Sequence, residues 1–462
     1  MRKKLFKIIN ALAVVMLVVF ISSGCGDENK KTTVVSGDDA FALEEIPEEE
    51  KIMGNVVYES TGNSGSVSID ATVITPEKIE DCSVYSLEFD FFDDDDVKTL
   101  VENIFDEGSY FLYMPYTSEQ INLIREKLTA MAPYAKTPDE TQAFTDALYN
   151  LDYREENLKS GAPEMDGEIK FYNIAEYTEY EDLNEYQCNV FGTIDGKNAV
   201  VYFSKDDYNC QMRLSLFGYI NRTVANSGDE SYDIRAYGNV CGYTMSEAED
   251  IAKDFVVSMG YENMSVAKSY NTILYSMENQ SYTNEAGEEI ETYVQVNEVN
   301  GYNIYFSRSY GTYNVAYDGS HFQSMYGTCY FDENGENPYK VVGHEFIRVY
   351  VSDDGVTDVE FCNPMREIEL LADDVVLLDF ESINQIAIEK LDSMADEYKD
   401  EFKIDEIKLG YSIIEEDGKY AIIPTWSYMK HSDATSTTAH VINYISLNAI
   451  DGSEVWCITD PM

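Results

Sequence analysis

The chain has 462 residues and a formal charge of −54, from 86 acidic against 32 basic side chains. A field of that sign repels phosphate backbones and anionic headgroups, which argues against nucleic acid as a partner and against a polybasic membrane contact. With 44% hydrophobic residues, 37 tyrosines and 21 phenylalanines it has the material for real cores, and its length suggests roughly three domains.

Arg2, Lys3, Lys4 and Lys7 open the chain. An apolar run follows from Ile8 to Ile21, broken only by Asn10, and Ser22, Ser23 and Gly24 precede Cys25. The uninterrupted part, Ala11 to Ile21, is well short of the roughly 20 residues that a spanning helix needs. Basic start, short apolar core and small-residue exit predict a signal peptide over 1–24. The small residues directly before Cys25 resemble the lipobox of bacterial lipoproteins, with Ser22 where that family usually has Leu. The resemblance implies that Cys25 is lipidated by a diacylglyceryl group, becomes the mature N-terminus and anchors the chain on the extracellular face of the cell membrane. Two or more acyl chains suffice for that without a spanning helix. Residues 25–52 are polar, acidic and poor in aromatics, and are expected to form a disordered tether.

Residues 53–240 are expected to form an N-terminal α+β domain. Val67, Ile69, Ala71 and Val73 alternate as a strand with one buried face. Val97, Leu100, Val101, Ile104 and Phe105 share one helical face behind the acidic run Asp93, Asp94, Asp95 and Asp96, and further helical periods cover 118–132 and 138–150. The stretch 186–220 is strand-rich, with an Asp195-Gly196 dipeptide of the kind that closes hairpins.

Residues 241–365 and 366–462 read as one unit used twice. In the first, Thr244 and Glu247 form a capping box, Gly260 closes the helix, and Ala248, Ile251, Ala252, Phe255 and Met259 make its buried stripe. Ile386, Ala387, Leu391 and Met394 stand 135 residues after Ile251, Ala252, Val256 and Met259. Each helix leads into two strand-like segments and then a hairpin, with Asp354-Gly355 and Asp451-Gly452 at the turns. The expected fold class is therefore α+β, with antiparallel sheets, packed helices and a tandem pair of helix-plus-sheet modules after the N-terminal domain. The alternative is two unrelated α+β segments.

The closing strands, YAIIPTWSYM and YISLNAIDGSEVW, resemble PepSY-type and YycH/YycI-like modules, in which a helix packs on a curved antiparallel sheet. With the cysteine motif and the strand IDATVITP, the chain also resembles uncharacterised lipoproteins of Gram-positive gut bacteria. The resemblance implies an α+β body outside the cell. For the PepSY-like relatives it implies regulation by docking on a partner.

The chemistry-bearing residues point the same way. Asp93 to Asp96 lack the spacing of a calcium loop and are placed to meet a helix start, with Asp96 as the cap. FDENGENPY, 331–339, fails the same test and reads as a turn. The four histidines, His321, His344, His431 and His440, lack zinc-enzyme spacing. Besides Cys25 there are Cys82, Cys188, Cys210, Cys241, Cys329, Cys362 and Cys457, an odd set without a CxxC, which reads mostly as buried thiols. No nucleophile elbow or phosphate loop is present. With 86 acids, no carboxylate pair stands out for glycoside chemistry, and the tyrosines read as half-buried sheet residues rather than a sugar platform. The chain is expected to be non-enzymatic and without cofactor or metal. It is expected to be a binding or regulatory protein of the envelope whose partners are the membrane, through Cys25, and an envelope protein. The alternative is an envelope hydrolase or carbohydrate-binding lipoprotein.

Overall fold

Each helix starts where a side chain can answer its first free N–H groups. Helix α1 (Asp94–Ile104) is capped by Asp93, which accepts from the amides of Asp95 and Asp96 while the Asp96 carboxylate accepts from the Asp93 amide. Asp96 is thus the third helical residue of a capping box and not the cap itself. The sequence offers four equivalent aspartates, and only the backbone geometry separates them. Thr117 and Thr137 cap α2 (Ser118–Met131) and α3 (Pro138–Glu156). Thr244 and Glu247 form a full capping box on α4 (Met245–Ser258), and Asp379 caps α5 (Phe380–Tyr398). At the far end of α4, Gly260 takes φ +97 and its N–H and that of Tyr261 donate to Val257 and Val256, closing the last turn.

The computed structural model describes residues 33–35 and 50–457, except 63, 77–81, 180–184, 207–208, 220–222, 227–240, 284–288, 311–312, 316–328, 331–338, 341–344, 374, 417–418 and 432–440, with the backbone alone over 33–35, 50–51, 223–226, 276–297, 310, 313–314, 329–330, 339–340, 415–416, 431, 441–442 and 456–457. The strands are β1 (Glu50–Thr61), β2 (Ser66–Pro76), β3 (Val84–Phe89), β4 (Phe111–Leu112), β5 (Tyr186–Ile194), β6 (Lys197–Lys205), β7 (Cys210–Leu216) and β8 (Thr223–Asn226). They continue as β9 (Met264–Thr283), β10 (Glu289–Tyr310), β11 (Phe346–Ser352), β12 (Gly355–Cys362), β13 (Met365–Ala372), β14 (Glu401–Glu416), β15 (Lys419–His431), β16 (Val441–Asn448) and β17 (Glu454–Cys457). Among the described residues no helix is long and apolar enough to cross a membrane.

Two large sheets result, and the protein is α+β. The central sheet runs β8-β9-β10-β11-β12-β7-β6-β5-β4. One face is apolar: α1 and α4 lay Val97, Leu100, Val101, Ala248, Ala252 and Val256 against Val190, Val201, Phe203, Leu214, Val349 and Phe361. On the other face α2 and α3 cover Phe191 and Phe217 with Ile121, Ile124, Leu128, Phe144 and Leu151. The terminal sheet runs β1-β2-β14-β15-β16-β17, with β3 pairing both β15 and β13. Helix α5 packs Ile383, Ala387, Ile388 and Leu391 on Val67, Ile69, Phe402, Ile404, Tyr428 and Ile445 of that sheet.

The pairing departs from the expected units in one respect. Residues 53–240 do not share a sheet. Strands β1 to β3 belong to the terminal sheet, where β2 lies parallel to β14, whereas 94–216 continue the sheet of 264–362 through the β7–β12 pair. Side chains fasten the first hairpin to α5: Tyr58 donates to Asp392 at 2.7 Å, Ser60 donates to the same carboxylate, and the amides of Ser64 and Gly65 donate to Asp396. Within the expected tether, Thr33–Val35 pairs with Val57 to Asn55, as the β-branched sequence TVV permits. The chain passes between the sheets at 362–365, where β12 ends in the central sheet at Cys362 and β13 opens in the terminal sheet at Met365.

The tandem pattern has the expected order in space. After α4 come β9, β10, β11 and β12 as adjacent antiparallel strands, and after α5 come β14, β15, β16 and β17 likewise. The buried stripes Ala248, Ala252, Val256 and Ile383, Ala387, Leu391 keep the 135-residue offset.

Candidate functional site

The residues singled out from sequence do not converge. Cys25, His321, His344 and His440 lie outside the described residues, as do the side chains of Cys329, His431 and Cys457 and most of the 331–339 turn. Cys188, Cys210 and Cys362 are buried free thiols, while Cys82 is buried and Cys241 half-buried. Burial pushes Cys188 and Cys210 up to about 12 and Cys362 well above its ordinary value, so these three thiols stay protonated and unreactive. The Asp93 carboxylate is lowered by the helix amides it accepts from, whereas burial raises Asp96. Among the described residues no group of three or more His, Cys, Asp or Glu side chains is placed to hold a metal ion.

What sequence reading missed is a row of charges inside the central sheet. Strands β11, β12 and β7 bring Arg348 opposite Glu360 and Glu360 opposite Arg213, with Asp358 two residues away on the same face. Arg348 donates to Asp358 at 2.6 Å and its Nε lies 3.2 Å from Glu360 without hydrogen-bond geometry. Asp358 also accepts from Ser215 and lies 3.7 Å from the Arg213 Nε. Burial opposes the Arg348 charge, but Glu360 and Asp358 more than offset it and hold the guanidinium protonated well beyond its ordinary range. Two cations face two anions. The arrangement is self-neutralised, and Tyr305, Phe346, Cys362 and Met429 pack as a small apolar cluster beside it. Asp358 and Glu360 are the nearest thing here to a paired-carboxylate centre, yet both are occupied by Arg348.

A second buried pair guards the crossing between sheets. Arg308 grips Glu345 with two hydrogen bonds, at 2.6 and 2.7 Å, and donates also to the Met365 carbonyl. Glu345 in turn accepts from the Met365 amide at 2.8 Å. Both side chains are almost wholly buried. This pair fixes where the chain leaves β12 and turns into β13.

Beyond that clamp the surface changes character. In β13, Arg366 through Leu371 are all exposed, and the strand pairs among the described residues with β3 alone. Its register on β3 slips twice, between Glu367 and Glu369 and between Leu370 and Ala372, which leaves Ile368 and Leu371 as the extra residues. They are 51% and 53% exposed, Leu370 is 47% exposed, and Val376 just beyond is 85% exposed. Arg366, the one cation on the strand, is taken by Glu88 and lies 3.6 Å from Asp90. The remaining charges, Glu367, Glu369 and Asp373, are acidic and exposed. Comparison with protein families, with curated proteins and with solved structures finds no match to the chain.

Proposed function

We propose that the chain is a lipid-anchored extracellular protein of the bacterial cell envelope, held at the membrane through Cys25, that acts by contact with a partner protein and not by turnover. The observation that carries this reading is β13: an edge strand that holds three large apolar side chains half-exposed, where a soluble surface ordinarily scatters them singly. Two further features support it. Among the described residues the interior carboxylates Asp358 and Glu360 are paired with Arg348, and the buried thiol of Cys362 stays protonated. The resemblance of the closing strands to PepSY-type and YycH/YycI-like modules suits a regulatory docking role in the envelope.

The rival reading, a hydrolase or carbohydrate-binding lipoprotein, has the Asp358 and Glu360 pair in its favour. One experiment separates the two. The full chain, expressed in a Gram-positive host, is crosslinked in the native membrane and the purified protein is screened against peptide, glycan and ester substrates. A specific crosslinked membrane protein without turnover is the expected result, together with loss of the membrane fraction in Cys25→Ala. Turnover that disappears in Asp358→Asn or Glu360→Gln, at unchanged melting temperature, would overturn the proposal.

A further inference from the structure

We infer that β13 is a strand-addition site for an extended partner segment that is both basic and apolar; this rests on the docking reading above and names its occupant. The outer edge of β13 offers backbone donors and acceptors that no described residue takes up, and such an edge is a template for a further strand. Proteins that merely blunt an edge do so with charges and with bulges. Both devices are present on β13, but the residues left over at the two register slips are Ile368 and Leu371, not polar ones. A bulge re-aims the side chain it displaces. Here it gives two aliphatic anchors to a surface that blunting alone would have left charged.

Charge selects the occupant. Glu367, Glu369 and Asp373 stand exposed along and after the strand, and Arg366 is already neutralised by Glu88 and Asp90. A second copy of β13 would bring its own exposed Glu367, Glu369 and Asp373 beside those already there, and like charges set close together destabilise a strand pair. The chain's own segment 25–52 is acidic and is repelled for the same reason. An anionic lipid surface is repelled too. The register puts Glu367 on the face of Leu87 and Glu369 on the opposite face with Ser86, so a strand that carries Lys or Arg on both faces, with aliphatic residues between them, meets both glutamates and covers Ile368 and Leu371.

The test uses the full chain and two synthetic peptides long enough to span β13, one repeating Lys-Lys-Val-Val so that both faces carry lysine, the other with glutamate for lysine. The lysine peptide is expected to bind, to protect the amides of β13 from hydrogen exchange, and to weaken with salt; the glutamate peptide is expected not to bind. Glu367→Lys with Glu369→Lys, and separately Ile368→Ser with Leu371→Ser, should each weaken binding about tenfold or more. Both pairs are exposed, so the fold should survive, which circular dichroism checks. Glu102→Lys with Glu126→Lys makes the same change in net charge on exposed helix positions elsewhere and should leave binding within about twofold of the parent. Equal weakening by this control, no protection at β13, or capture of zwitterionic or anionic vesicles through Ile368 and Leu371 would overturn the inference. If peptide binding at β13 fails while native crosslinks map to another surface, β13 is wrong and docking stands. If the parent protein turns over a substrate, docking itself falls.

Discussion

The two helix-and-meander units are the same device in different company. Both lay one helix on four consecutive antiparallel strands, with buried stripes in matching positions. The central unit is extended at its last strand, where β12 takes β7, and the charges that this junction encloses are matched in place: Arg348 and Arg213 against Asp358 and Glu360. The terminal unit is extended at its first strand, where β14 takes β2 in parallel, and at the start of β15, where β3 is added. That second addition brings β13 with it and ends in an exposed edge. A repeated core therefore leaves its flanks free to differ: one flank is buried and neutralised, and the other is left open and acidic.

The sharpest way to break this comparison is to unpair the buried charges. Arg348→Ala leaves Asp358 and Glu360 without their shared cation, and Arg308→Ala leaves Glu345 buried beside the sheet crossing. Each should destabilise the protein by about 3–5 kcal/mol, the usual cost of orphaning a buried partner. Lys390→Ala, which removes the exposed pair with Glu454 in the terminal unit, should cost about 0–1 kcal/mol. Urea unfolding of the three variants checks the order. An Arg348→Ala loss no larger than that of Lys390→Ala would mean that the row does not hold the junction together.

A second measurement asks whether the two stripes carry equal weight. Val256 and Leu391 occupy matching places, both fully buried. Leu391→Ala should cost about 2–5 kcal/mol, and Val256→Ala less, because it removes one carbon fewer at about 0.8 kcal/mol each. Hydrogen exchange should show the Leu391→Ala loss first in β14 and β16, and the Val256→Ala loss first in β9 and β11. If either change loosens both sheets equally, the units do not behave as two copies.

These differences mark where sequence stops being informative. The stripes of α1, α4 and α5, the capping box at Thr244 and the Asp-Gly turns are local patterns, and each appears where periodicity places it. Pairing of β2 with β14 joins residues more than 300 apart and leaves no trace in either strand's alternation. The charge row was hidden by a single slip. Counting back from the Asp354-Gly355 turn in plain register would set Arg348 against Val359, and the bulge at Tyr350 and Val351 moves it opposite Glu360 instead. MREIELLA, with charged and apolar residues on both sides of the pleat, has no strand period at all, because an edge strand exposed on both faces needs none.

The smallest expected effect concerns how the two helices begin. Helix α4 is capped by the neutral hydroxyl of Thr244, which accepts from the Glu247 amide, and α5 by the carboxylate of Asp379, which accepts from the Ser382 amide. Thr244→Ala should cost about 1 kcal/mol at neutral pH, and Asp379→Ala should also destabilise. The two caps answer differently to acid. The Ser382 amide and hydroxyl lower the Asp379 carboxyl below its ordinary value. A group whose folded pKa is depressed contributes stability that is fully present above its unfolded value, near 3.9 for Asp, and is lost as pH falls through the folded value. The Asp379→Ala deficit should therefore shrink toward zero between pH 7 and pH 3. The Thr244 hydroxyl does not titrate, and its bond to the Glu247 amide persists. The Thr244 amide and hydroxyl also both donate to the Glu247 carboxylate and hold it below its ordinary value; of these two bonds alanine removes only the hydroxyl's, and that one weakens in acid. The Thr244→Ala deficit should thus fall in part and keep a remainder at pH 3. Urea midpoints of both variants against the parent, at the two pH values, decide it: parallel loss of both deficits would show that the α4 cap rests on the hydroxyl's bond to the Glu247 carboxylate and not on its bond to the Glu247 amide.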